Sequence, residues 1–282
     1  MATYFVISDI HSFYDEMIDA LNKAGYDKEN KNHVLINLGD LLDRGPDSVK
    51  CLEFINSIPN DRKVCIRGNH EDLLQEVFYR GYFKGHDIHN KTFQTVYDIA
   101  KMTEDNDSEA IKKCSQNEPL KEYLNSCIDY FETDKYVFVH GWIPSKRSDP
   151  VKYHTRSITR EYDENWRNGD WVTASWDCCF DAWRSGAVIP DKTIVAGHWH
   201  TSYGHYKYHN RGTEFNDEII DTWNALHPDS PIKQTAYFGI FKDKGIIGID
   251  ACTAYSKQVN VLKIGKQKPI SYWRKMTESC KV

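Results

Sequence analysis

The stretch HVLINLGDLLDRGP, residues 33–46, places a largely apolar run directly before a charged turn. The run has the length and the aliphatic content of a buried strand. Asp40, Asp43 and Arg44 then follow within five positions. A turn of this kind is either solvated surface or the end of a strand that carries chemistry, and the rest of the chain decides between the two.

Two further runs of the same type flank it, TYFVIS at 3–8 and KVCIR at 63–67. Helix-like segments around 13–24 and 47–57 separate the three runs, so the pattern predicts a βαβαβ unit with a buried parallel sheet. Each run ends in polar residues, SDIHS, GDLLDRG and GNHED. Because ligands of open α/β sheets bind beyond the carboxyl ends of the strands, these ends are expected to meet in one crevice.

The remainder of the chain predicts an α/β fold with an insertion. Residues 72–132 are polar, charged and helix-like, which indicates an inserted helical cover. Strand patterns return later, at 136–141, 193–198, 235–241, 245–250 and 258–264. The last three predict an antiparallel meander. We expect one domain over 1–266 that contains the insertion, and a loosely attached tail at 267–282. The connections 145–190 and 202–232 carry no clear pattern.

Composition limits the classes of partner. The chain has 282 residues, of which 40% are hydrophobic, and a net charge of −5, which argues against a broad nucleic-acid or membrane surface. No window approaches the roughly 18 apolar residues of a membrane span, and the N-terminus lacks a signal-peptide pattern. The eight scattered cysteines form no CxxC pair. A cytoplasmic protein with reduced thiols is therefore expected, and its oligomeric state is left open.

Residues able to bind metal follow five of the predicted strands. They are Asp9, His11, Asp40, Asn69, His70, His140, His198 and His200. Imidazole combined with carboxylate and amide oxygen suits Mn²⁺, Fe or Zn²⁺ better than ions that favour thiolates. A single histidine at a strand end usually makes an ordinary hydrogen bond, but this many at successive ends indicate a metal centre.

The motifs DIHS, GDLLDRG, GNHE, HG and GH, in that order, resemble those of the calcineurin-like metallophosphoesterases. Within that family they are most similar to the PPP-type serine/threonine phosphatases of bacteria and phages, the group of lambda phosphatase. The resemblance covers about residues 3–264. It implies a β-sandwich of mixed sheets flanked by helices, which some schemes class as α+β. It also implies two divalent metal ions, with Mn²⁺ expected and Fe, Zn or Co as alternatives.

The resemblance also assigns metal ligands residue by residue. The first metal is bound by Asp9, His11 and Asp40. The second is bound by Asp40, Asn69, His140 and His198. Asp40 has two oxygens and can bridge two cations held roughly 3.5–4 Å apart, and bound metal strongly acidifies water. The implied reaction is direct attack of a metal-bridging hydroxide on phosphorus.

Three further residues complete the implied catalytic set. His70 protonates the leaving alkoxide, and Asp43 holds its imidazole in the acid-competent form. Arg44 binds the phosphate, because a guanidinium matches two phosphate oxygens. Asn69 and His70 are also expected to contact the phosphate.

The sequence departs from the family pattern at several positions. Ser12 replaces the glycine that is usual in the family, at a position where backbone close to a metal needs room or an unusual φ. The family's second phosphate-binding arginine has no clear counterpart, and Arg184 is either its substitute or an ordinary exposed arginine. His200 is either a further ligand of the first metal or a hydrogen-bonding neighbour. Four tryptophans are expected in the core or in a groove wall rather than as a base-stacking platform: Trp166, Trp171, Trp176 and Trp183.

The predicted function is hydrolysis of phosphate monoesters, chiefly phosphoserine and phosphothreonine in proteins. The substrate is then a phosphoprotein or a small phosphate monoester. A symmetrical dinucleoside tetraphosphate hydrolase is the alternative on the same scaffold, although LLDRGP and GNHE differ from the VARGP and GNHD usual in that group. A non-catalytic phosphate-binding module is a third interpretation, disfavoured by the complete set of ligands.

Overall fold

Two five-stranded β-sheets pack face to face to form a sandwich flanked by helices. The structure, a computed structural model, describes residues 1–103, 106–147, 159–213, 215, 226 and 235–279. The predicted mixed α/β sandwich is confirmed.

The first sheet has the order β12-β1-β2-β3-β4. Its strands are β1 (Ala2–Ile7), β2 (His33–Asn37), β3 (Lys63–Ile66), β4 (Cys127–Ile128) and β12 (Leu262–Gln267). Strands β1 to β4 are mutually parallel, and β12 is antiparallel to β1. The predicted βαβαβ unit thus forms the centre of this sheet.

The second sheet has the order β10-β11-β9-β6-β5. Its strands are β5 (Phe131–Glu132), β6 (Tyr136–Phe138), β9 (Thr193–Ala196), β10 (Phe241–Asp243) and β11 (Ile246–Gly248). Strands β6, β9 and β11 are parallel to one another. A separate pair is formed by β7 (Lys146–Arg147) and β8 (Arg160–Glu161).

Twelve α-helices lie in the described part of the chain. The first three are α1 (Tyr14–Ala24), α2 (Ser48–Ser57) and α3 (Asn69–Arg80). Most of α3 lies in the predicted insertion 72–132, which also contains α4 (Gly85–His89), α5 (Thr92–Ala100), α6 (Asp107–Ser115) and α7 (Glu118–Ser126). The others are α8 (Trp171–Ala174), α9 (Cys179–Arg184), α10 (Thr201–His209), α11 (Thr253–Ser256) and α12 (Ile270–Ser279), with one 3₁₀ turn at Trp166–Asn168. None of these described helices could cross a membrane.

The alternation of side chains along β1 explains the layering. Tyr4 and Val6 belong to the apolar layer between the two sheets, whereas Phe5 and Ile7 belong to the layer that includes the helices α1, α2 and α7. Successive residues of a strand point to opposite faces, so a continuous apolar strand buries both of its faces. The two parallel sets of strands are thereby held with their carboxyl ends at one edge of the sandwich.

The prediction of an antiparallel meander at 235–264 is confirmed only for β10 and β11, which pair antiparallel, and is wrong for the rest. Residues 235–240 form no strand, and β12 pairs with β1 in the first sheet instead of with β11. The pattern misled because Phe238 packs in a small separate cluster with Phe215. Its burial therefore comes from loop packing and not from a sheet.

The segment after Lys266 is held to the first sheet more firmly than expected. Ile270 and Trp273 are buried in the layer between the sheets. The Trp273 indole donates a hydrogen bond to the Tyr4 hydroxyl at 3.1 Å. Burial of these side chains stabilises the attachment of α12.

Candidate active site

All the strand ends that sequence reasoning selected meet at one edge of the sandwich. There they border or underlie a cleft of about 390 Å³. The cleft is lined by Asp9, His11, Asp40, Arg44, Asn69, His70, His198 and His200, among others. His140 and Asp43 are buried behind this surface. The Asp9 carboxylate accepts a hydrogen bond from the His198 amide at 2.9 Å and thereby links the two sheets.

The backbone turns abruptly after several of these strands. Asp9, His11, Asp40, Asp43 and His198 all have positive φ, between 51° and 72°. Non-glycine residues rarely adopt this left-handed region, and such strain concentrates at functional sites. The turns aim successive side chains into the cleft. The unusual φ considered for Ser12 is present as well, at 61°.

Two glycines allow the second and third loops to touch. Gly39 has a φ of 101°, and a Cβ there would lie 2.6 Å from the Gly68 nitrogen. The buried Glu71 carboxylate joins the same loops by accepting hydrogen bonds from the amides of Asp40, Leu41 and Gly68 at 3.0, 3.1 and 2.8 Å. These hydrogen bonds fix the backbone at Asp40 and thereby place its side chain in the cleft.

Asp40 lies at the centre of the cluster. Its carboxylate oxygens lie 3.7 Å from His11 Nε2 and 3.4 Å from His140 Nε2. Two groups of side chains could each hold a cation, His11 with Asp40 and His70, and Asp40 with His140 and His198. Asp40 belongs to both groups, which agrees with the bridging role predicted for it. The individual ligand assignments remain predictions.

The imidazole hydrogen bonds fit a metal centre. His11 Nδ1 lies 3.1 Å from the Leu42 carbonyl, and His140 Nδ1 lies 2.8 Å from the Leu38 carbonyl. A ring that donates Nδ1–H to a carbonyl directs Nε2 toward a cation, as metal-binding histidines commonly do. The donor set of the cluster is therefore suited to divalent metal.

Burial and mutual charge perturb these groups strongly. Burial raises the pKa of Asp9 to about 6 and holds the pKa of His11 well below its usual range. Burial also opposes charge on Asp40 and His140, but their attraction outweighs it. The pKa of Asp40 is held well below its usual value, and that of His140 is raised to about 10. Without metal, His140 is thus a cation at neutral pH.

We expect metal binding to release protons. At pH 7.5 His140 must lose its proton to become a ligand, so about one proton should leave per protein from this residue. Below pH 6 Asp9 is protonated too, and the release should rise by about one more proton. Calorimetric titration with Mn²⁺ in buffers of different ionisation enthalpy measures the number. Release that is unchanged in His140→Gln would contradict the assignment.

The residues predicted for acid catalysis also lie together. His70 Nδ1 lies 2.8 Å from Asp43 Oδ2, and Arg44 Nη2 lies 3.4 Å from His70 Nε2. His70 Nε2 and the Arg44 side chain therefore border the cleft at the same point. Asp43 is held from behind by Thr92 and Thr95 of α5, which sequence reasoning missed. Nothing in the local pattern of the insertion marked these threonines.

The open questions about Arg184 and His200 are partly resolved by position. Arg184 is exposed and is not among the described residues that line the cleft, where Arg44 is the one arginine. His200 borders the cleft, with Nδ1 2.7 Å from the Ser202 hydroxyl and its ring stacked on Trp199. It belongs to neither cation-holding group of the described chain.

The structure adds residues to the cleft that sequence reasoning did not select. Asp250, two residues after the end of β11, lines it as a buried carboxyl whose pKa is raised by burial and by the nearby Asp9. Trp176, Trp199 and Phe215 supply aromatic lining. The groove-wall role expected for Trp176 fits its position, and Trp166 is buried in the core.

A helix-flanked β-sandwich whose strand ends gather histidines around an aspartate shared by two cation-holding groups is typical of a metallophosphoesterase. The family model described as calcineurin-like phosphoesterase matches residues 2–230, and the chain belongs to this family. The family uses a pair of divalent metal ions, and the described cluster offers donors for them.

Several of the proteins similar to this chain are tetraphosphatases. The asymmetrical bis(5'-nucleosyl)-tetraphosphatase PrpE of Bacillus subtilis is 30% identical over 167 residues, 55% of this chain and 62% of that protein. A symmetrical bis(5'-nucleosyl)-tetraphosphatase of Buchnera aphidicola is 42% identical over 77 residues, 27% of each chain. Serine/threonine-protein phosphatase 1 of Salmonella typhimurium is 33% identical over 73 residues, 26% of this chain and 32% of that protein. The chain thus spans less than two thirds of each relative's length.

A solved structure with the same fold is the cold-active protein-tyrosine phosphatase of a Shewanella species. Its TM-score is 0.52 at 13% identity, covering 93% of this chain and 75% of that chain. At this identity the likeness supports the fold alone.

Proposed function

We propose that this metallophosphoesterase hydrolyses dinucleoside tetraphosphates. The observation that carries the proposal is the similarity to tetraphosphatases, which extends over 167 residues for the Bacillus subtilis protein. The order of the two enzyme functions favoured by the LLDRGP and GNHE motifs is thereby reversed. The match to the asymmetrical enzyme further favours unequal cleavage, into a nucleoside triphosphate and a nucleoside monophosphate.

The walls of the cleft are compatible with a nucleotide. Trp176 and Trp199 both lie beside His198, with ring centroids 5.9 and 6.0 Å from it. Aromatic side chains stack on nucleobases with a stabilisation of roughly 1–3 kcal/mol per base. Aromatic surface this close to the candidate metal ligands suits a base attached to the phosphate chain, whereas the sequence predicted a place in the core or in a groove wall for Trp176.

Each residue of the cluster then has a distinct task. Two divalent ions, when bound, neutralise phosphate charge and acidify the attacking water. Arg44 holds phosphoryl oxygens and stabilises charge that develops on them. His70 donates the proton at Nε2 to the departing oxygen, while Asp43 keeps the ring oriented through Nδ1.

Phosphoprotein phosphatase activity is the second candidate, and the intact pair of His70 and Asp43 favours it. A serine or threonine alkoxide is a poor leaving group and depends on protonation. The phosphate that leaves from an anhydride is far less basic than an alkoxide, so its departure depends less on protonation. The buried pair of His70 and Asp43 therefore accelerates the hydrolysis of alkyl monoesters more than that of anhydrides.

Direct comparison of substrates tests the proposal. With Mn²⁺, diadenosine tetraphosphate should be turned over with a kcat/KM at least about tenfold above that of a phosphoserine peptide, yielding ATP and AMP on chromatography. Trp176→Leu should raise KM for the dinucleotide about tenfold, with little change for inorganic tripolyphosphate. A chelator should abolish every activity.

The possible outcomes separate the candidates. Faster release of phosphate from the peptide would place the second candidate first. Formation of two ADP would retain the substrate but correct the position of cleavage. No turnover of any phosphate ester or anhydride with any divalent metal would overturn both candidates.

A further inference from the structure

Helix α5 of the insertion supplies two hydroxyl groups to Asp43. The Thr92 hydroxyl donates to Asp43 Oδ2 at 2.7 Å, and the Asp43 amide donates to the Thr95 hydroxyl at 3.1 Å. Both threonines are buried, with exposures of 0% and 1%. The insertion therefore holds a residue of the proposed acid pair.

Thr92 and His70 bind the same oxygen of Asp43. His70 Nδ1 lies 2.8 Å from Asp43 Oδ2, the atom that also accepts the Thr92 proton. The other oxygen, Oδ1, is buried and has no hydrogen-bond partner among the described residues. The orientation of the carboxylate therefore depends on the two bonds at Oδ2.

The backbone of Asp43 makes this support more important. Its φ of 72° lies in the left-handed region, which costs a non-glycine residue energy. A strained residue keeps its conformation only when its surroundings hold it on several sides. Thr95 holds the amide of Asp43, and Thr92 holds its carboxylate.

We propose that Thr92 is a positioning residue for acid catalysis, acting through Asp43 on His70. Its hydroxyl fixes the rotation of the Asp43 carboxylate, and the carboxylate fixes the plane of the imidazole. Without the hydroxyl the carboxylate can rotate, and His70 Nε2 no longer points consistently at the departing oxygen. A misplacement of about 1 Å in a catalytic group can cost a large factor in rate.

The step that Thr92 supports is balanced in bonds and protons. The bond between phosphorus and the leaving oxygen breaks as the proton of His70 Nε2 passes to that oxygen. A water molecule supplies the new bond to phosphorus, and one of its protons restores His70. This inference rests on the acid role given to His70 under the proposed function, but it does not depend on which phosphate ester is the natural substrate.

The test uses substrates that differ in their need for acid. Thr92→Val removes the hydroxyl at nearly constant volume, and Thr92→Ser retains it. With phenyl phosphate, Thr92→Val should lower kcat by about tenfold or more, with KM nearly unchanged. With 2,4-dinitrophenyl phosphate, whose leaving group needs no proton, the loss should be under about threefold. Thr92→Ser should restore most of the rate.

A matched control separates positioning from general loss of stability. Thr133 is another buried threonine with a hydrogen-bonded hydroxyl, placed at the turn before β6. Thr133→Val should lower both rates equally, if at all. An equal loss on both aryl phosphates in Thr92→Val, or no recovery in Thr92→Ser, would overturn the proposal.

A second measurement does not depend on turnover. The Nδ1 proton of His70 should be visible by NMR as a slowly exchanging resonance in the wild-type protein, because its bond to Asp43 is buried. Exchange should be about tenfold faster or more in Thr92→Val and near normal in Thr92→Ser. Unchanged exchange in Thr92→Val would overturn the proposal. If aryl phosphates respond as expected but dinucleotides are not cleaved, only the proposed substrate fails.

Discussion

Replacing Asp40 with asparagine should lower kcat/KM by at least about 10³-fold, which corresponds to roughly 4 kcal/mol of transition-state stabilisation. Asparagine keeps one oxygen but loses the charge and the second anionic oxygen that a bridge between two cations requires. Asp40 also belongs to both cation-holding groups, so no other carboxylate of those groups can substitute for it. Steady-state kinetics combined with elemental analysis of the purified variant measures the effect.

The metal content of Asp40→Asn indicates the cause of the loss. We expect it to fall below the two ions per chain that are expected for the wild-type protein, and excess Mn²⁺ to recover the rate only partly. Asp40 Oδ1 also accepts the His70 amide at 3.0 Å, a bond that the asparagine oxygen can keep, so the fold should survive. Asp19→Asn, on the exposed face of α1, is the control and should be neutral. Full activity and full metal content in Asp40→Asn would refute the bridging role.

The second large effect is expected for His70→Asn. Loss of the general acid should lower kcat on phenyl phosphate by about 10²–10⁴-fold. The asparagine amide can still donate to Asp43, so the loop should keep its conformation. The reduction should be much smaller with 2,4-dinitrophenyl phosphate, because its leaving group departs without a proton. Parallel kinetics on the two esters tests this prediction.

Metal analysis of His70→Asn also distinguishes two roles for this histidine. His70 Nε2 lies 4.0 Å from Asp40 Oδ2, and His70 forms part of one cation-holding group with His11. If His70 is the acid, both metals should remain in the variant. Loss of one metal would instead make His70 a ligand and remove the acid from the mechanism. His86→Asn, exposed on α4, should affect neither quantity.

Much of the site could be predicted because each motif is contiguous with the strand that positions it. An apolar run followed at once by Asp9, Asp40 or Asn69 specifies both a buried strand and the side chains at its carboxyl end. Parallel strands of one sheet end at the same edge, so these residues were expected to meet. His140 and His198 likewise follow two parallel strands of the second sheet, so they too were expected at this edge.

The errors have a common physical cause. Apolar periodicity reports burial but not the partner against which a segment is buried. The run at 235–241 was apolar because Phe238 packs against another loop, and β12 was apolar because it covers the edge of β1. The aromatic residues around Trp176 raised the same ambiguity between core and cleft. In each case the apolar pattern indicates that the segment is buried but does not identify the segment against which it packs.

The sequence by itself determined the family, the strand ends and the chemical types gathered there, because these depend on residues close together in the chain. Only the tertiary structure decided that Arg184 is exposed and is not among the described residues that line the cleft, which Asp250, Trp199 and Phe215 border. It also decided that Thr92 holds Asp43 from a helix 49 positions later. Such contacts arise when separate layers pack, and their angles and distances depend on the whole core. The local sequence around Thr92 therefore carries no sign of them.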